Sequence, residues 1–240
     1  MVNRVKGFGL IQAVLSTIMM PIGYMLWGLA TIPGLWLFWE AYDSTQGITR
    51  LIACALSLGL GYLFWCIGVL LIMGVLGMIM RPRTEKAQAP TESWLTIRWA
   101  FMSLFHRLAL PSLQWMVPSF IGSAYYRMMG CKVGKGAQIN SASVNDAYMV
   151  SIGEKTIIGG SAVINGHLFE KDGIHLAAVK IGSKVVIGTG SQINPGCVVG
   201  DRAVIASKAV LPKYTVIPEG EVWGGIPAKC IRKAKDSTLE

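Results

Sequence analysis

The fold is decided by residues 181–200, which read I-G-S-K-V-V-I-G-T-G-S-Q-I-N-P-G-C-V-V-G. An aliphatic residue followed by a small residue returns here every six positions. The aliphatic series continues downstream, and its positions are Ile181, Ile187, Ile193, Val199, Ile205, Leu211 and Ile217, with Trp223 as the eighth member. A period of six fits neither an α-helix nor a simple alternating strand. It predicts a solenoid whose coils have three short flat sides, each pointing one aliphatic residue inward. We expect the small residue that follows to form the corner, where φ is often positive.

The pattern also extends upstream with one shift of phase, and it is interrupted once. The earlier positions are Val133, Ile139, Ile152, Ile158 and Ile164. From Ile164 to Ile181 is seventeen positions, one short of three hexads, and the interruption contains His167 and His175. Ordering an excursion has an entropic cost that a plain repeat avoids. We therefore predict a functional loop that leaves the wall after His167.

The first third of the chain is far more apolar than the rest. The whole chain is 52% hydrophobic and 15% charged, whereas soluble domains carry about 25% charged residues. Residues 10–39 and 51–80 contain no charged residue. Each run exceeds the about 20 residues that cross a bilayer and the about 7–15 of a signal-peptide core. Residues 1–83 are therefore predicted to form a two-span transmembrane hairpin, kinked or tilted in its first span by Pro21 and Pro33.

Charges flanking the two runs predict the orientation of this hairpin. The basic residues beside them are Arg4, Lys6, Arg81, Arg83 and Lys86. The connecting loop is expected to hold Glu40, Asp43 and Arg50. The positive-inside rule then places both termini, and the domain that follows, on the cytoplasmic side of a cell (inner) membrane. The chain carries a net charge of +9, but its basic residues are not interleaved with aromatic residues as in nucleic-acid-binding proteins. Anionic lipid is therefore the expected partner.

Residues 84–130 are predicted to connect membrane and solenoid. Residues 84–93 are polar and indicate a linker. Residues 94–129 are apolar with scattered basic residues and are expected to form interfacial amphipathic helices, broken by Pro111 and Pro118. His106 is expected on a polar helix face. The five cysteines show no paired spacing, so they indicate a reduced compartment and no metal site.

Several motifs carry a family resemblance. They are I-G-S-K-V-V (181–186), V-G-K-G-A-Q (133–138), the lead-in Y-Y-R-M-M-G-C-K-V-G-K-G (125–136) and the ending W-G-G-I-P-A-K (223–229). These stretches resemble the hexapeptide-repeat acyltransferases. D-A-Y-M-V-S-I-G (146–153) and N-G-H-L-F-E (165–170) further resemble the membrane-linked C-terminal domains of polylysine-synthetase-like peptide synthetases. The resemblance covers residues 125–235. It implies an all-β left-handed parallel β-helix of about five coils over residues 131–228, within a domain at 131–240.

The resemblance also implies a reaction and its residues. An acyl group would pass from a phosphopantetheine thioester, on coenzyme A or a carrier protein, to an amine or hydroxyl of a small molecule, peptide or lipid. His167 matches the family's general base, which faces a cleft between subunits of a homotrimer. An imidazole suits that role because it exchanges a proton near neutral pH. Asp146 and Glu170 match the family's carboxylates, whereas Asp172 is a local candidate without a match.

Candidates for donor binding lie mainly near the C-terminus. Phosphates of the donor need cations and backbone N–H groups. The residues expected to supply them are Gly188, Gly224, Gly225, Lys229 and Arg232, with Lys233 as a weaker candidate. No permanently bound cofactor is expected, because the thioester is a co-substrate.

Two other functions share this type of fold. A γ-type carbonic anhydrase needs three histidines on zinc, and this chain has three in all, with His106 outside the solenoid. A catalytically silent trimeric membrane scaffold is the alternative that the sequence leaves open.

Overall fold

The computed structural model describes residues 4–82 and 84–234 of the 240-residue chain. Arg83, used to predict orientation, and the tail 235–240 lie outside the described residues. The helices are α1 (Phe8–Ser44), α2 (Gly47–Met80), α3 (Trp94–Met116) and α4 (Phe120–Met128). All strands but the first follow α4.

The first two helices form the predicted hairpin and are both long and apolar enough to cross a membrane. At about 1.5 Å per residue each is longer than the about 30 Å hydrocarbon core of a bilayer, so the ends of such helices would extend past it. Only residues 45–46 connect them. The predicted loop was therefore wrong in extent: Glu40 and Asp43 belong to α1 and Arg50 to α2. Charged side chains are tolerated there because helix ends that pass the hydrocarbon core meet polar surroundings.

Small residues bring α1 and α2 together. A Cβ added to Gly34 would lie 2.7 Å from Cα of Gly61, so the two backbones touch at this point. Such close approach is typical of helices that associate in membranes. Helix α1 continues through Pro21 and Pro33, and its outward side chains, Leu10 among them, are exposed. The hairpin therefore has a tight inner seam and an apolar outer surface.

The segment between the hairpin and the solenoid is more ordered than predicted. The expected linker contains strand β1 (Lys86–Ala89). Helix α3 continues through Pro111, so the predicted break there was wrong, whereas α4 begins just after Pro118. Proline removes one helical hydrogen bond. The helix survives because Ala109 and Leu113, on either side of Pro111, are fully buried in the core that α3 shares with α2 and the solenoid.

Short strands build the rest of the molecule. They are β2 (Lys132–Val133), β3 (Gln138–Ile139), β4 (Val150–Ile152), β5 (Ile157–Ile158), β6 (Val163–Ile164), β7 (His167–Glu170), β8 (Gly173–Ala177), β9 (Val179–Ile181), β10 (Val186–Ile187), β11 (Gln192–Ile193), β12 (Val198–Val199), β13 (Val204–Ile205), β14 (Val210–Leu211), β15 (Val216–Ile217), β16 (Val222–Gly225) and β17 (Ala228–Arg232). Three parallel sheets run along the solenoid, ordered β15-β12-β9-β4-β2, β16-β13-β10-β5-β3 and β14-β11-β6. The five strands of the first sheet correspond to the five predicted coils.

The predicted aliphatic column fills the interior of these coils. Ile158, Ile187 and Ile205 stack in register on successive coils and are fully buried. Each such side chain contributes about 1.5–3 kcal/mol by leaving water. These elements confirm the predicted combination of a helical hairpin with a parallel β-helix.

The corners of the coils differ from the prediction. Positive φ falls three positions after each inward aliphatic residue, at Lys184, Gly190, Gly196, Arg202, Lys208, Tyr214 and Gly220. The small residue directly after the aliphatic one is needed for another reason. A Cβ at Gly188 would collide with the backbone of the next coil at residues 205–207. The repeat therefore selects glycine there for close stacking of coils.

Candidate functional site

The interruption of the repeat is a β-hairpin that leaves the wall where it was predicted to. Strands β7 and β8 pair antiparallel, with His167 opposite Leu176 and Glu170 opposite Gly173. Strand β1 pairs with the other edge of β8 and makes a three-stranded sheet. The excursion thus has ordered backbone pairing, which gives its side chains fixed positions.

At the root of this hairpin His167 meets a carboxylate. Nδ1 of His167 lies 2.5 Å from Oδ2 of Asp146. The same oxygen accepts a hydrogen bond from the backbone N–H of Gly166 at 3.1 Å. The side chain of Asp146 is 2% exposed and that of His167 is 23% exposed. The carboxylate is therefore enclosed, while one side of the imidazole stays open.

The local sequence explains how these two residues meet. Asp146 has positive φ, and a single 3₁₀ turn (Ala147–Met149) follows it. Asn145 donates a side-chain hydrogen bond to Asn165 at 2.8 Å, which ties the adjacent coils together. A Cβ at Gly166 would lie 2.9 Å from Cβ of Asp146, so only glycine lets the carboxylate approach. The N-D motif (145–146) and the N-G-H motif (165–167) thus bring the side chains of Asp146 and His167 into contact.

Trp99 of α3 also contacts Asp146 and His167, and the sequence did not reveal that it lies there. Its indole N–H donates to Oδ1 of Asp146 at 2.9 Å. Its ring lies 4.5 Å from that of His167 and 5.2 Å from that of Phe169, between ring centroids. The sequence placed residues 94–129, Trp99 among them, in interfacial helices. The one available signal was the indole N–H itself, which needs an acceptor where the ring is partly buried, as it is here.

This arrangement fixes the proton on the imidazole. A buried carboxylate accepts, so Nδ1 of His167 is the donor and the neutral ring keeps an unprotonated Nε2. Asp146 is saturated by three donors, which are His167, Trp99 and the backbone of Gly166. The root of the hairpin can therefore take a proton at Nε2 and stabilise the resulting cation.

The tip of the hairpin holds a second cluster, made of Glu170, Asp172, His175 and Lys213. Nε2 of His175 lies 2.7 Å from Asp172 and 3.3 Å from Glu170. Nζ of Lys213 contacts both carboxylate oxygens of Glu170 at 2.6 Å. Glu170 therefore pairs with the tip and not with His167. The hydrogen bond from His175 lowers the pKa of Asp172, and Glu170 raises the pKa of Lys213.

His106 was predicted on a polar face at the membrane interface, and that prediction was wrong. It is buried, with Nδ1 3.1 Å from the Tyr125 hydroxyl and Nε2 3.1 Å from the carbonyl of Ala142. Because a carbonyl only accepts, Nε2 carries the proton and Nδ1 accepts from Tyr125. Burial lowers the pKa of His106 to about 4. It holds α3 on the solenoid as a neutral ring.

The three histidines do not converge on one point. His167 and His175 alternate across the hairpin, since His175 is opposite Leu168 and His167 is opposite Leu176. Their side chains therefore leave opposite faces of the sheet. Both ring nitrogens of His106 are engaged elsewhere. A three-histidine zinc site of the carbonic anhydrase kind does not fit this geometry.

The candidates for donor binding lie at the last coil. Lys229 and Arg232 are exposed on β17, which folds back antiparallel on β16. Gly224 and Gly225 belong to β16, and the turn between β16 and β17 lies at residues 226–227. Ile231 fills the space beside Gly224. Gly188 packs against the next coil, so its lack of a side chain is already explained by stacking.

Residues 178–213 match the family model described as bacterial transferase hexapeptide (six repeats). These residues are hexapeptide repeats, and we refer to the solenoid that contains them as the hexapeptide-repeat domain. The chain is also 27% identical to a delta-poly-L-ornithine synthetase of Acinetobacter baumannii over 176 residues, which are 72% of this chain and 13% of that protein. Both findings confirm the resemblance to hexapeptide-repeat acyltransferases and peptide synthetases that the sequence motifs indicated.

Two solved structures are similar to the hexapeptide-repeat domain. One is a hexapeptide-repeat-containing acetyltransferase of Vibrio cholerae complexed with acetyl coenzyme A, with 21% identity, a TM-score of 0.45, and coverage of 55% of this chain and 88% of that one. The other is a galactoside acetyltransferase in complex with coenzyme A, with 22% identity, a TM-score of 0.45, and coverage of 57% and 83%.

Proposed function

We propose that this protein is a membrane-anchored acyltransferase in which His167 is the general base. The observation that carries the proposal is the contact of Nδ1 of His167 with the enclosed carboxylate of Asp146. A ring held in that tautomer presents a basic Nε2 to an acceptor, as general-base catalysis requires. The open side of the imidazole leaves room for the acceptor.

The chemistry follows from these groups. Nε2 of His167 removes the proton of an acceptor amine or hydroxyl as that atom attacks the thioester carbonyl. The tetrahedral intermediate then collapses, the C–S bond breaks, and the imidazolium returns the proton to the departing thiolate. Asp146 stabilises the imidazolium by its negative charge and does not itself take the proton. The products are the acylated acceptor and a free phosphopantetheine thiol.

A phosphopantetheine thioester is the donor that we propose, on coenzyme A or on a carrier protein. Lys229 and Arg232 are exposed cations on one short strand at the last coil. Cations so placed suit the phosphates of the donor, which need charge and hydrogen-bond donors together. Both related structures named above carry coenzyme A or its acetyl ester.

A homotrimer is the proposed assembly. The outward residues of one sheet form an apolar stripe, made of Ile157, Val186, Val204 and Val222 in register on successive coils. Ile157 and Val186 are about two-fifths exposed in the single chain. Burying such a stripe between copies stabilises association.

The membrane anchor is the α1–α2 hairpin, with the termini and the hexapeptide-repeat domain in the cytoplasm. Apolar side chains cover its outer surface, including Leu56 and Leu58 of α2. A surface of this kind is stable in lipid. An anchored enzyme would act on acceptors at or near the bilayer.

The test compares His167→Ala with His175→Ala in the detergent-solubilised protein. We expect release of thiol from acetyl coenzyme A, in the presence of membrane extract as acceptor source, to fall about 10²–10⁴-fold in His167→Ala. Binding of coenzyme A should stay nearly unchanged, because the imidazole meets the acceptor. Lys229→Ala should do the opposite, weakening coenzyme A binding through loss of a phosphate contact. His175→Ala should change both quantities little.

Two outcomes would favour the scaffold alternative. If His167→Ala trimerises and keeps full activity, the root of the hairpin has no role as a base. Absence of any stabilisation by a thioester donor would point the same way, since a ligand that binds only the folded state raises thermal stability.

A further inference from the structure

A cavity of about 490 Å³ lies between α1 and α3, beside the root of the hairpin. Its size falls within the about 300–1,000 Å³ of small-molecule sites. Its walls are mainly apolar, including Leu15 and Met19, and the polar side chains that line it include Gln12, Ser16 and the charged Arg107. Mainly apolar walls with scattered polar groups are typical of sites for organic ligands.

Two contacts bound this cavity along α1. At one end Val5, just before α1, donates its backbone N–H to the carbonyl of Glu92, just before α3, at 2.8 Å. At the other end the indole of Trp27 in α1 donates to the carbonyl of Leu108 in α3 at 3.1 Å. A Cβ at Gly23 would lie 3.1 Å from the Leu108 side chain, so the two helices touch there. Between these two contacts α1 stands off from α3, and the gap is the cavity.

The cavity shares a wall with the proposed catalytic group. Trp99 and Phe169 both line it. The ring of Trp99 is in contact with His167, and Phe169 lies 6.3 Å from it between ring centroids. The indole N–H of Trp99 also holds Asp146. A molecule in the cavity would therefore lie against the same two rings that pack on His167.

We propose that this cavity binds the hydrocarbon chain of an amphiphilic acceptor, whose amine or hydroxyl is thereby held at His167. The inference rests on the proposed function and specifies its acceptor class. A general base must lie within about 2.6–3.2 Å of the nucleophile. A cavity that shares a wall with His167 is therefore placed to hold the rest of the acceptor.

The position of the cavity in the anchor supports the same class of ligand. One wall is a helix whose opposite face is apolar and exposed, at Leu10 and Val14. An amphiphile can move from the bilayer into such a cavity while its chain stays in apolar surroundings, so no large desolvation step is needed. A fully polar acceptor would make no apolar contacts with the walls of the cavity.

The experiment is photolabelling in phospholipid nanodiscs. The probe is a dodecyl primary amine that carries a diazirine in the middle of its chain, and labelled peptides are mapped by mass spectrometry. We expect labels on residues 96–107 of α3 and on the cavity face of α1, well above the labelling at Leu10 and Val14. Ser16→Phe, which fills the cavity, should reduce labelling of residues 96–107 to the level at Leu10.

Thr17→Phe is the matched control. Ser16 and Thr17 are adjacent, exposed, and each bonded to the carbonyl of Ala13, but only Ser16 lines the cavity. Thr17→Phe should label like the unmodified protein. Equal labelling of cavity and outer surface, or no effect of Ser16→Phe, would overturn the proposal. So would labelling of residues 96–107 by a diazirine-bearing acyl coenzyme A but not by the amine, since the chain would then belong to the donor.

His167→Ala separates this inference from the proposed function. The variant should still label in the cavity, because binding of the chain does not need the imidazole. Cavity labelling in a variant that remains fully active would keep the binding site and overturn the base. Loss of activity in His167→Ala without any cavity labelling of the unmodified protein would keep the base and overturn the acceptor class.

Discussion

The two ends of the hairpin at residues 167–177 use the same residue types in different surroundings. At the root, His167 meets Asp146, whose side chain is 2% exposed. At the tip, His175 meets Asp172, whose side chain is 56% exposed. Both contacts are short, at 2.5 and 2.7 Å. Contact distance alone therefore does not distinguish a catalytic pair from a surface pair.

What differs is how many other groups fix the carboxylate and how much water screens it. Asp146 accepts from an indole and a backbone amide, and both are held by packed elements. Asp172 contacts Gln88 as its further side-chain partner and faces solvent. Charges exposed to water interact weakly and lose entropy when they are held together. Packing of α3 over the root therefore holds the His167–Asp146 contact in one orientation, whereas water screens the contact at the tip.

The sharpest test exchanges each carboxylate for its amide. Asp146→Asn should lower turnover by about 10²–10⁴-fold, because the amide can donate to Nδ1 and leave the wrong tautomer at Nε2. Asp172→Asn should leave turnover within about twofold, the effect of a surface change. Steady-state kinetics of both variants with one donor and one acceptor check this.

Trimer content and coenzyme A affinity serve as controls for these two variants, and both should match the unmodified protein. Equal losses of turnover in the two variants would remove the distinction between root and tip. The hairpin would then act as a unit.

His106, the third histidine, is buried like the root of the hairpin, and we expect it to make the stability of the protein depend on pH. The pKa of His106, about 4, lies below the ordinary 6.5 of an unfolded histidine. Between these values the unfolded chain binds more protons, so the stability from this group is full above pH 6.5 and is lost as pH falls toward 4. The slope approaches about 1.4 kcal/mol per pH unit.

Thermal unfolding from pH 8 to 5 measures this slope. His106→Gln should flatten the pH dependence, whereas His175→Gln, at an exposed pair, should retain it. A pH profile that is unchanged in His106→Gln would show that other groups dominate acid sensitivity.

The smallest effect is expected at the tip. Lys213→Ala removes the ion pair with Glu170, an exposed contact worth about 0.2–1 kcal/mol. The midpoint of thermal unfolding should fall by less than about 4 °C, and by less again in high salt. Turnover should not change. A large loss of activity would instead make the tip part of the site.

The sequence predicted the solenoid well because its period is local. Each hexad repeats the same inward aliphatic residue, and the position of the excursion follows from counting between Ile164 and Ile181. The motifs also paired His167 with a nearby carboxylate, and the structure brings Asp146 into contact with it, while their catalytic roles stay a prediction. The corner geometry was misassigned, since a glycine required by stacking of coils looks the same in sequence as one required by positive φ.

The sequence pattern could not predict contacts between segments that are far apart in the chain. Trp99 is 47 residues from Asp146, and no repeat or motif relates them. Pro111 suggested a helix end, but burial on both sides overrode the local preference. Glu170 shares the motif with His167 and yet contacts Lys213, 43 residues away. These relations depend on how α3 packs against the solenoid.

Strand β1 ties the segment that follows α2 to the hairpin that carries His167. Gln88 and Ala89 pair with His175 and Ile174 of β8, only a few residues after α2 ends. A water-soluble fragment that began at α3 would expose a bare strand edge at β8, which invites pairing with other chains. Under the proposed function, a tilt of α2 in the bilayer would reach the hairpin through the few residues between Met80 and Lys86. Lipid thickness would then influence the geometry at His167.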